Sequence, residues 1–184
     1  MTELNPHFLF NTLNNIYTLS LNNSPKAPIS IGKLSNILDH ILYRCNSTFV
    51  SLSSEIELLR NYIELEKLRY DKRLKVNIHT NIESDREIPP LILLSLVENA
   101  FKHGAGEDSG SPEIDIQISN TEALFVFKIV NTVSNDYENK NKNKGNIGLL
   151  NIRKQLDLIY NKAYHLNIEN LEHSFIVVLE IPQK

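Results

Sequence analysis

The N-terminal part of the chain has the hydrophobic period of α-helices. Leu9, Leu13 and Ile16 recur at spacings of four and three residues, so they predict the apolar stripe of a first helix. His7 and Asn11 fall on a polar stripe beside the apolar one. The pattern therefore predicts that His7 is displayed to solvent.

A second amphipathic helix follows a polar turn at residues 22–25. Its seam consists of apolar residues at spacings of three and four: Ile31, Leu34, Leu38, Ile41 and Cys45. Two helices joined by a short turn cannot bury both seams by themselves. We therefore expect a homodimer in which two copies form a four-helix bundle.

A third helix is predicted to connect this hairpin to the rest of the chain. Ser54 and Glu57 stand in the relation of a capping box, and an apolar stripe continues from there to about Tyr70. The predicted organisation is a helical region over 1–50, a connecting helix over 51–72 and a second domain over 73–184.

The second domain alternates between strand and helix patterns, which gives an α+β fold class. Pro89 and Pro90 precede an apolar helix that ends at Gly104, and residues 133–146 are rich in Asn and Lys without a core position. Strands are predicted near 76–82, 114–118, 124–130, 166–168 and 175–181, and a last helix over 149–160. We expect these elements to form one antiparallel or mixed sheet covered by helices.

Composition excludes several classes of protein. The 184 residues carry a formal net charge of -3 with both signs scattered, so bulk electrostatics give no reason for direct nucleic-acid binding. A single cysteine, Cys45, leaves no disulfide framework and no cysteine zinc site. No apolar run is long enough for a membrane span, so a membrane anchor would have to lie in a missing N-terminal region.

The first candidate for chemistry is the stretch Asn5-Pro6-His7-Phe8-Leu9-Phe10-Asn11. An imidazole can act as a nucleophile near neutral pH, and Asn11 lies one helical turn further on the same face as His7. A lone exposed histidine at a helix start is more often an ordinary surface residue. The stretch alone leaves both interpretations open.

The second and third candidates are a polar helix end and a glycine-containing helix start. Glu98, Asn99, Lys102 and His103 cluster at the end of an apolar helix, where an amide oxygen could bind Mg²⁺ and cations could meet phosphates. In 145–153, glycines run straight into a helix whose backbone amides could cradle phosphate oxygens. Each could equally be an ordinary helix terminus.

Together, and in this order, the segments resemble the LytS-like sensor histidine kinases. The family's phosphoacceptor motif is matched by residues 5–14, its asparagine box by 96–104, its glycine-rich lid by 148–153 and its connector by 61–70. The resemblance covers essentially the whole chain. It implies a helical dimerisation and phosphoacceptor hairpin followed by an ATP-binding α/β sandwich of the Bergerat type.

The resemblance also implies a set of residue roles. His7 would accept the γ-phosphoryl group of ATP, Asn11 would orient water for dephosphorylation of the partner, and Glu98 is the candidate base. Asn99 would bind Mg²⁺. The positions implied for nucleotide binding are Asn99, Lys102, His103, Asn131, Gly145, Gly148, Leu149, Asn151 and Arg153.

Some positions depart from the family pattern. Phe8 stands where related kinases carry an acid, Asn131 replaces an aspartate that binds adenine, and Asn146 stands where a glycine is common. An uncharged acceptor forms a weaker hydrogen bond, so nucleotide affinity is expected to be low. An alternative is therefore a dimerising, nucleotide-sensing module without kinase activity. A metal-binding protein is a third, although the six histidines have no ligand spacing.

The expected function is a two-component sensor kinase. The phosphoryl group would pass from His7 to an aspartate of a response regulator, often a LytTR-type DNA-binding protein in this family. The chain would work as the cytoplasmic part of a protein anchored in the bacterial inner membrane.

Overall fold

The computed structural model describes residues 5–45, 47–70, 73–104, 112–133 and 146–182. The chain divides into two compact units. A helical unit comprises Met1–Lys72 with Glu87–Leu91, and a sheet unit comprises Arg73–Arg86 with Ile92–Lys184. The α+β class predicted from the sequence is confirmed.

The helical unit is built from α1 (Pro6–Leu21), α2 (Lys26–Asp39) and α3 (Leu52–Tyr70). A single π-helical turn, His40–Arg44, extends α2. Each of the three α-helices packs against the other two. The helical unit thus has a core of its own.

The start of α1 is defined by its own sequence. Pro6 occupies the beginning of the helix, where a missing amide hydrogen costs nothing. The side chain of Asn5 accepts a hydrogen bond from the backbone nitrogen of His7 at 3.0 Å. The first turn that carries His7 is therefore capped.

The buried face of α1 differs from the predicted stripe. Phe8, Thr12 and Ile16 are buried, whereas Leu13 is 52% exposed. The ring of Phe8 lies 4.6 Å from that of Tyr62 on α3, measured between centroids. This aromatic contact belongs to the face that α1 presents to α3. Leu13 of the predicted stripe lies outside that face, and the expectation that a second copy covers such residues stays a prediction.

The seam of α2 is likewise displaced from the predicted positions. Leu34 is buried as predicted, but Ile31 is 55% exposed and Ile37 takes the place of Leu38 as the fully buried residue. Small residues, Ala27 and Ser30, complete the buried face. Small side chains let helices approach closely, and a hydrophobicity pattern alone does not reveal them.

The cap of α3 is Ser51 rather than the predicted Ser54. The helix begins at Leu52, and the Ser51 hydroxyl accepts a hydrogen bond from the backbone nitrogen of Ser54 at 3.2 Å. Ser51 also ends the short strand β1 (Val50–Ser51), which pairs antiparallel with β3 (Glu87–Ile88). Such short strands carry no usable pattern, so the sequence did not predict them.

The sheet unit contains one mixed, five-stranded sheet in the order β2-β4-β5-β7-β6. β2 pairs parallel with β4, and all other neighbours are antiparallel. The strands are β2 (Lys75–Ile82), β4 (Glu113–Asn120), β5 (Leu124–Thr132), β6 (His165–Asn170) and β7 (Ser174–Pro182). The prediction of a mixed sheet, one of two that were open, is correct.

One face of the sheet is covered by α4 (Ile92–Gly104), which contacts β4, β5 and β7, and α5 (Asn146–Tyr160) packs against α4. Alternate residues of β5, from Phe125 to Asn131, are buried, as expected for a strand with a single core face. Within the ranges given above, no helix has both the length and the apolar character needed to cross a membrane.

Candidate active site

His7 and Asn11 meet on the exposed side of α1. The side-chain nitrogen of Asn11 lies 3.2 Å from Nδ1 of His7 and 3.3 Å from Nε2. A spacing of four residues brings side chains together on a helix, as the sequence implied. The amide lies beside both ring nitrogens, where it can orient the imidazole or a group attached to it.

Phe8 occupies the position next to His7 but points into the core. It is 3% exposed and packs against Tyr62. An acid at this position would bury a charge in an apolar contact, which is costly. The side chain that follows His7 therefore anchors the first turn of α1 and leaves no carboxylate there.

The second group of candidate residues lies toward the C-terminal end of α4. Ala100 and Phe101 are buried in the core, while Glu98 and Asn99 are half-buried and Lys102 is exposed. Because the apolar face of α4 packs into the core, the polar residues of this helix end remain partly exposed. The side chain of His103 lies outside the described residues.

The N-terminal turn of α5 lies beside Asn99. A Cβ atom at Gly148 would come within 3.9 Å of Oδ1 of Asn99. Gly148 therefore lies next to an amide oxygen, at a helix start whose free backbone amides favour anions. Gly145 lies outside the described residues.

The remaining lid residues divide between core and surface. Leu149 is buried with the apolar face of α5, so only its backbone is available to a ligand, and Asn151 is exposed. The guanidinium of Arg153 donates to the carbonyl oxygen of Leu166 on β6 at 3.5 Å. Arg153 thus joins α5 to β6.

Asn131 ends the row of buried residues on β5. It is 1% exposed, and its side-chain nitrogen donates to the carbonyl oxygen of Thr132 at 3.1 Å. With Nδ2 used as a donor, Oδ1 is the atom of this side chain that can accept a hydrogen bond. An amide oxygen is an acceptor of the kind that could pair with an exocyclic amino group of a purine.

Glu55, which was not among the residues predicted from the sequence, is fully buried near the start of α3. Its carboxylate binds His40 and the backbone of Leu91. A signal was present, because Glu55 falls on the apolar face defined by Leu52 and Leu59. A charged residue on such a face marks a buried interaction.

Comparisons with known proteins agree with the motifs. The family model described as histidine kinase matches residues 1–74. The sensor protein LytS of Oceanobacillus iheyensis is 29% identical over 195 residues, which cover 99% of this chain and 33% of LytS. The chain thus spans about a third of the length of that relative.

Solved histidine kinases share the fold. The catalytic domain of the histidine kinase ThkA matches with a TM-score of 0.54 at 18% identity, over 74% of this chain and 97% of that domain. ThkA in complex with the response regulator protein TrrA matches with a TM-score of 0.51 at 16% identity, over 97% of this chain and 59% of ThkA.

Residues 1–74 belong to the histidine kinase family, and the likeness to LytS runs along the whole chain. The chain is thus similar to a sensor protein of the LytS type. The chain has the fold of histidine kinase catalytic domains. Such domains use ATP, generally with Mg²⁺.

Proposed function

We propose that this chain is an autokinase that phosphorylates His7 from Mg-ATP and passes the phosphoryl group to an aspartate of a response regulator. The observation that carries the proposal is the exposed pair of His7 and Asn11 at a capped helix start. A nucleophile needs access, and the neighbouring amide orients it.

The nucleotide would bind to the sheet unit beside the N-terminus of α5. Gly148 lies next to Oδ1 of Asn99, and amide oxygens are ligands that Mg²⁺ accepts. Bound Mg²⁺ would neutralise phosphate charge during transfer. Lys102 and His103 would contact the phosphates, Asn131 would accept from the adenine amino group, and the backbone of 145–153 would surround the phosphates.

In the proposed reaction a ring nitrogen of His7 attacks the γ-phosphorus of ATP. A nitrogen–phosphorus bond forms, the bond from the γ-phosphorus to the bridging oxygen breaks, and ADP leaves with that oxygen. The imidazole loses its ring proton, for which Glu98 is the proposed acceptor. The residue that follows His7 is the buried Phe8, so this position supplies no acid for the role.

The phosphoryl group would then pass to a response regulator, as the pairing of ThkA with TrrA suggests by analogy of fold. We propose a LytTR-type regulator and a homodimer as the working partners. Asn11 would orient water for the reverse task, dephosphorylation of the regulator. Because ATP is a cytoplasmic substrate, this part of a membrane-anchored sensor would act in the cytoplasm.

The test is incubation with Mg²⁺ and γ-labelled ATP. The chain should acquire a label that acid removes and alkali does not, because phosphohistidine has that stability. His7→Ala and Asn99→Ala should abolish the label. His165→Ala, which removes an exposed histidine of β6, is the matched control and should keep it. A label that persists in His7→Ala would contradict the proposal.

A second candidate, the nucleotide-sensing module without kinase activity, rests on Asn131. This uncharged, buried acceptor replaces the aspartate of related ATPases, and its Nδ2 donates to the backbone carbonyl oxygen of Thr132. Nucleotide binding without any label at saturating ATP would favour this module over the kinase.

A further inference from the structure

Glu55 is a fully buried carboxylate that holds two parts of the helical unit. Its Oε1 lies 3.2 Å from Nε2 of His40 and accepts a hydrogen bond from the backbone nitrogen of Leu91 at 3.1 Å. His40 begins the π-helical turn after α2 and is itself buried. One oxygen of α3 thus joins the end of α2 to the segment that follows β3.

Leu91 stands at a junction of the chain. It is the last residue of the helical unit, and Ile92 begins both the sheet unit and α4. Its φ of 63° lies in the left-handed region, which is uncommon for a residue other than glycine. Such a conformation persists only where the surroundings hold it.

The interaction of Glu55 is poorly explained by stability alone. Its Oε2 is buried and has no hydrogen-bond partner among the described residues. A buried carboxylate with a bare oxygen is unfavourable, and apolar residues in place of a buried ion pair often stabilise a protein. Strained backbone together with a costly buried charge is typical of functional positions.

We propose that Glu55 is a positioning residue for autophosphorylation, which acts by holding Leu91 and thereby the start of α4. α4 carries Asn99 and leads to the nucleotide site of the proposed function, on which this inference rests. His40 shares the same oxygen, so the end of the hairpin that carries His7 is coupled to the junction. π-helical turns are frequent at such functional positions.

The test compares two substitutions of similar size. Glu55→Gln keeps an oxygen that can accept both hydrogen bonds, whereas Glu55→Met removes the acceptor. Glu55→Asp withdraws the carboxylate by one methylene group, and it serves as a second variant if Glu55→Met does not fold. Glu57→Met, at an exposed position of the same helix, is the control.

The first measurement is labelling from γ-labelled ATP, with the rate at saturating ATP separated from KM. Glu55→Met and Glu55→Asp should lower the saturating rate about tenfold to a hundredfold, as expected for a misplaced reactive group. None of these substitutions should change the nucleotide affinity. Glu55→Gln should keep the saturating rate of the unmodified chain. A purely structural role would instead lower the folded fraction and leave the rate per folded molecule unchanged.

The second measurement is hydrogen–deuterium exchange at the backbone of residues 91–93, which does not depend on kinase activity. Glu55→Met should accelerate exchange at Leu91 by about tenfold or more, because a hydrogen bond to a carboxylate is lost. Unchanged exchange, or an unchanged labelling rate, would overturn the inference. If the unmodified chain takes no label, the proposed function fails, and exchange at Leu91 then decides whether Glu55 holds the junction.

Discussion

At the scale of single residues, the buried carboxylates of this protein differ most clearly from their solvent-exposed counterparts. Glu66, on α3, is 5% exposed and accepts a hydrogen bond from the hydroxyl of Tyr62 at 3.2 Å. Burial raises the pKa of Glu66, while the positive charge of Arg69 and the Tyr62 hydrogen bond lower it less. The folded state therefore holds the proton of Glu66 more tightly than the unfolded chain does.

We predict that Glu66→Gln raises the free energy of unfolding at neutral pH. Because the folded pKa is raised, the stability that the protonated form contributes is present below the ordinary pKa of 4.5 and is lost as pH rises through the raised value. Glutamine stays neutral at every pH and can still accept from Tyr62. The gain should thus be large at pH 7 and vanish toward pH 4.

Urea unfolding of both proteins across this pH range is the measurement. Glu64→Gln, an exposed position of the same helix, is the control and should give no such pH dependence. A Glu66→Gln variant that is less stable at pH 7 would show that the ionised carboxylate stabilises the fold.

At the scale of the element, α3 depends on a cap that comes from the preceding strand. The hydroxyl of Ser51 accepts from the backbone nitrogen of Ser54, and the hydroxyl of Ser54 donates to the carbonyl oxygen of Ser51 at 2.9 Å. Both hydroxyls satisfy groups at the start of the helix. Since α3 packs against both α1 and α2, we expect the stability of its first turn to affect the stability of the whole helical unit.

We predict that Ser51→Ala destabilises the protein by about 1 kcal/mol, the usual cost of losing a helix cap. Thermal or urea unfolding would detect it. Ser35→Ala, at an exposed position inside α2, is the control, and it should be neutral or slightly stabilising because alanine favours helices. If both variants unfold alike, the Ser51 hydroxyl is not the cap that matters.

On the scale of the whole molecule, α1 presents an apolar stripe that the helical unit does not cover. Phe10, Leu13, Tyr17 and Leu21 recur at spacings of three and four, and all are more than half exposed. These residues form one helical face opposite the buried one. A stripe of this kind on a helix of the proposed four-helix bundle is the surface that a second copy would cover.

We predict that Leu13→Glu weakens self-association without unfolding the chain, because a charge would enter the apolar interface between copies. Sedimentation equilibrium and circular dichroism measure the two effects separately. Thr80→Glu, which places the same charge at an exposed position of β2 outside the helical unit, is the control and should leave association largely unchanged. A fully dimeric Leu13→Glu would exclude this face as the interface.

Local features could be predicted from the sequence. The pairing of His7 with Asn11 needs only helical spacing, and the strands of the sheet unit follow from their alternation. The same local patterns placed Asn99 on the polar end of an apolar helix. Interactions between residues within one or two turns are largely set by the element itself.

The tertiary structure decided what lies far apart in the chain. The approach of Gly148 to Asn99, the parallel pairing of β2 with β4 and the bond from Leu91 to Glu55 join distant segments, and no periodicity encodes such pairs. Even the buried face of α1 followed from packing against Tyr62. The sequence by itself determined the longer elements and the exposed His7. Packing between elements selected which faces are buried and which polar groups meet, because burial energy depends on the partners that folding brings together.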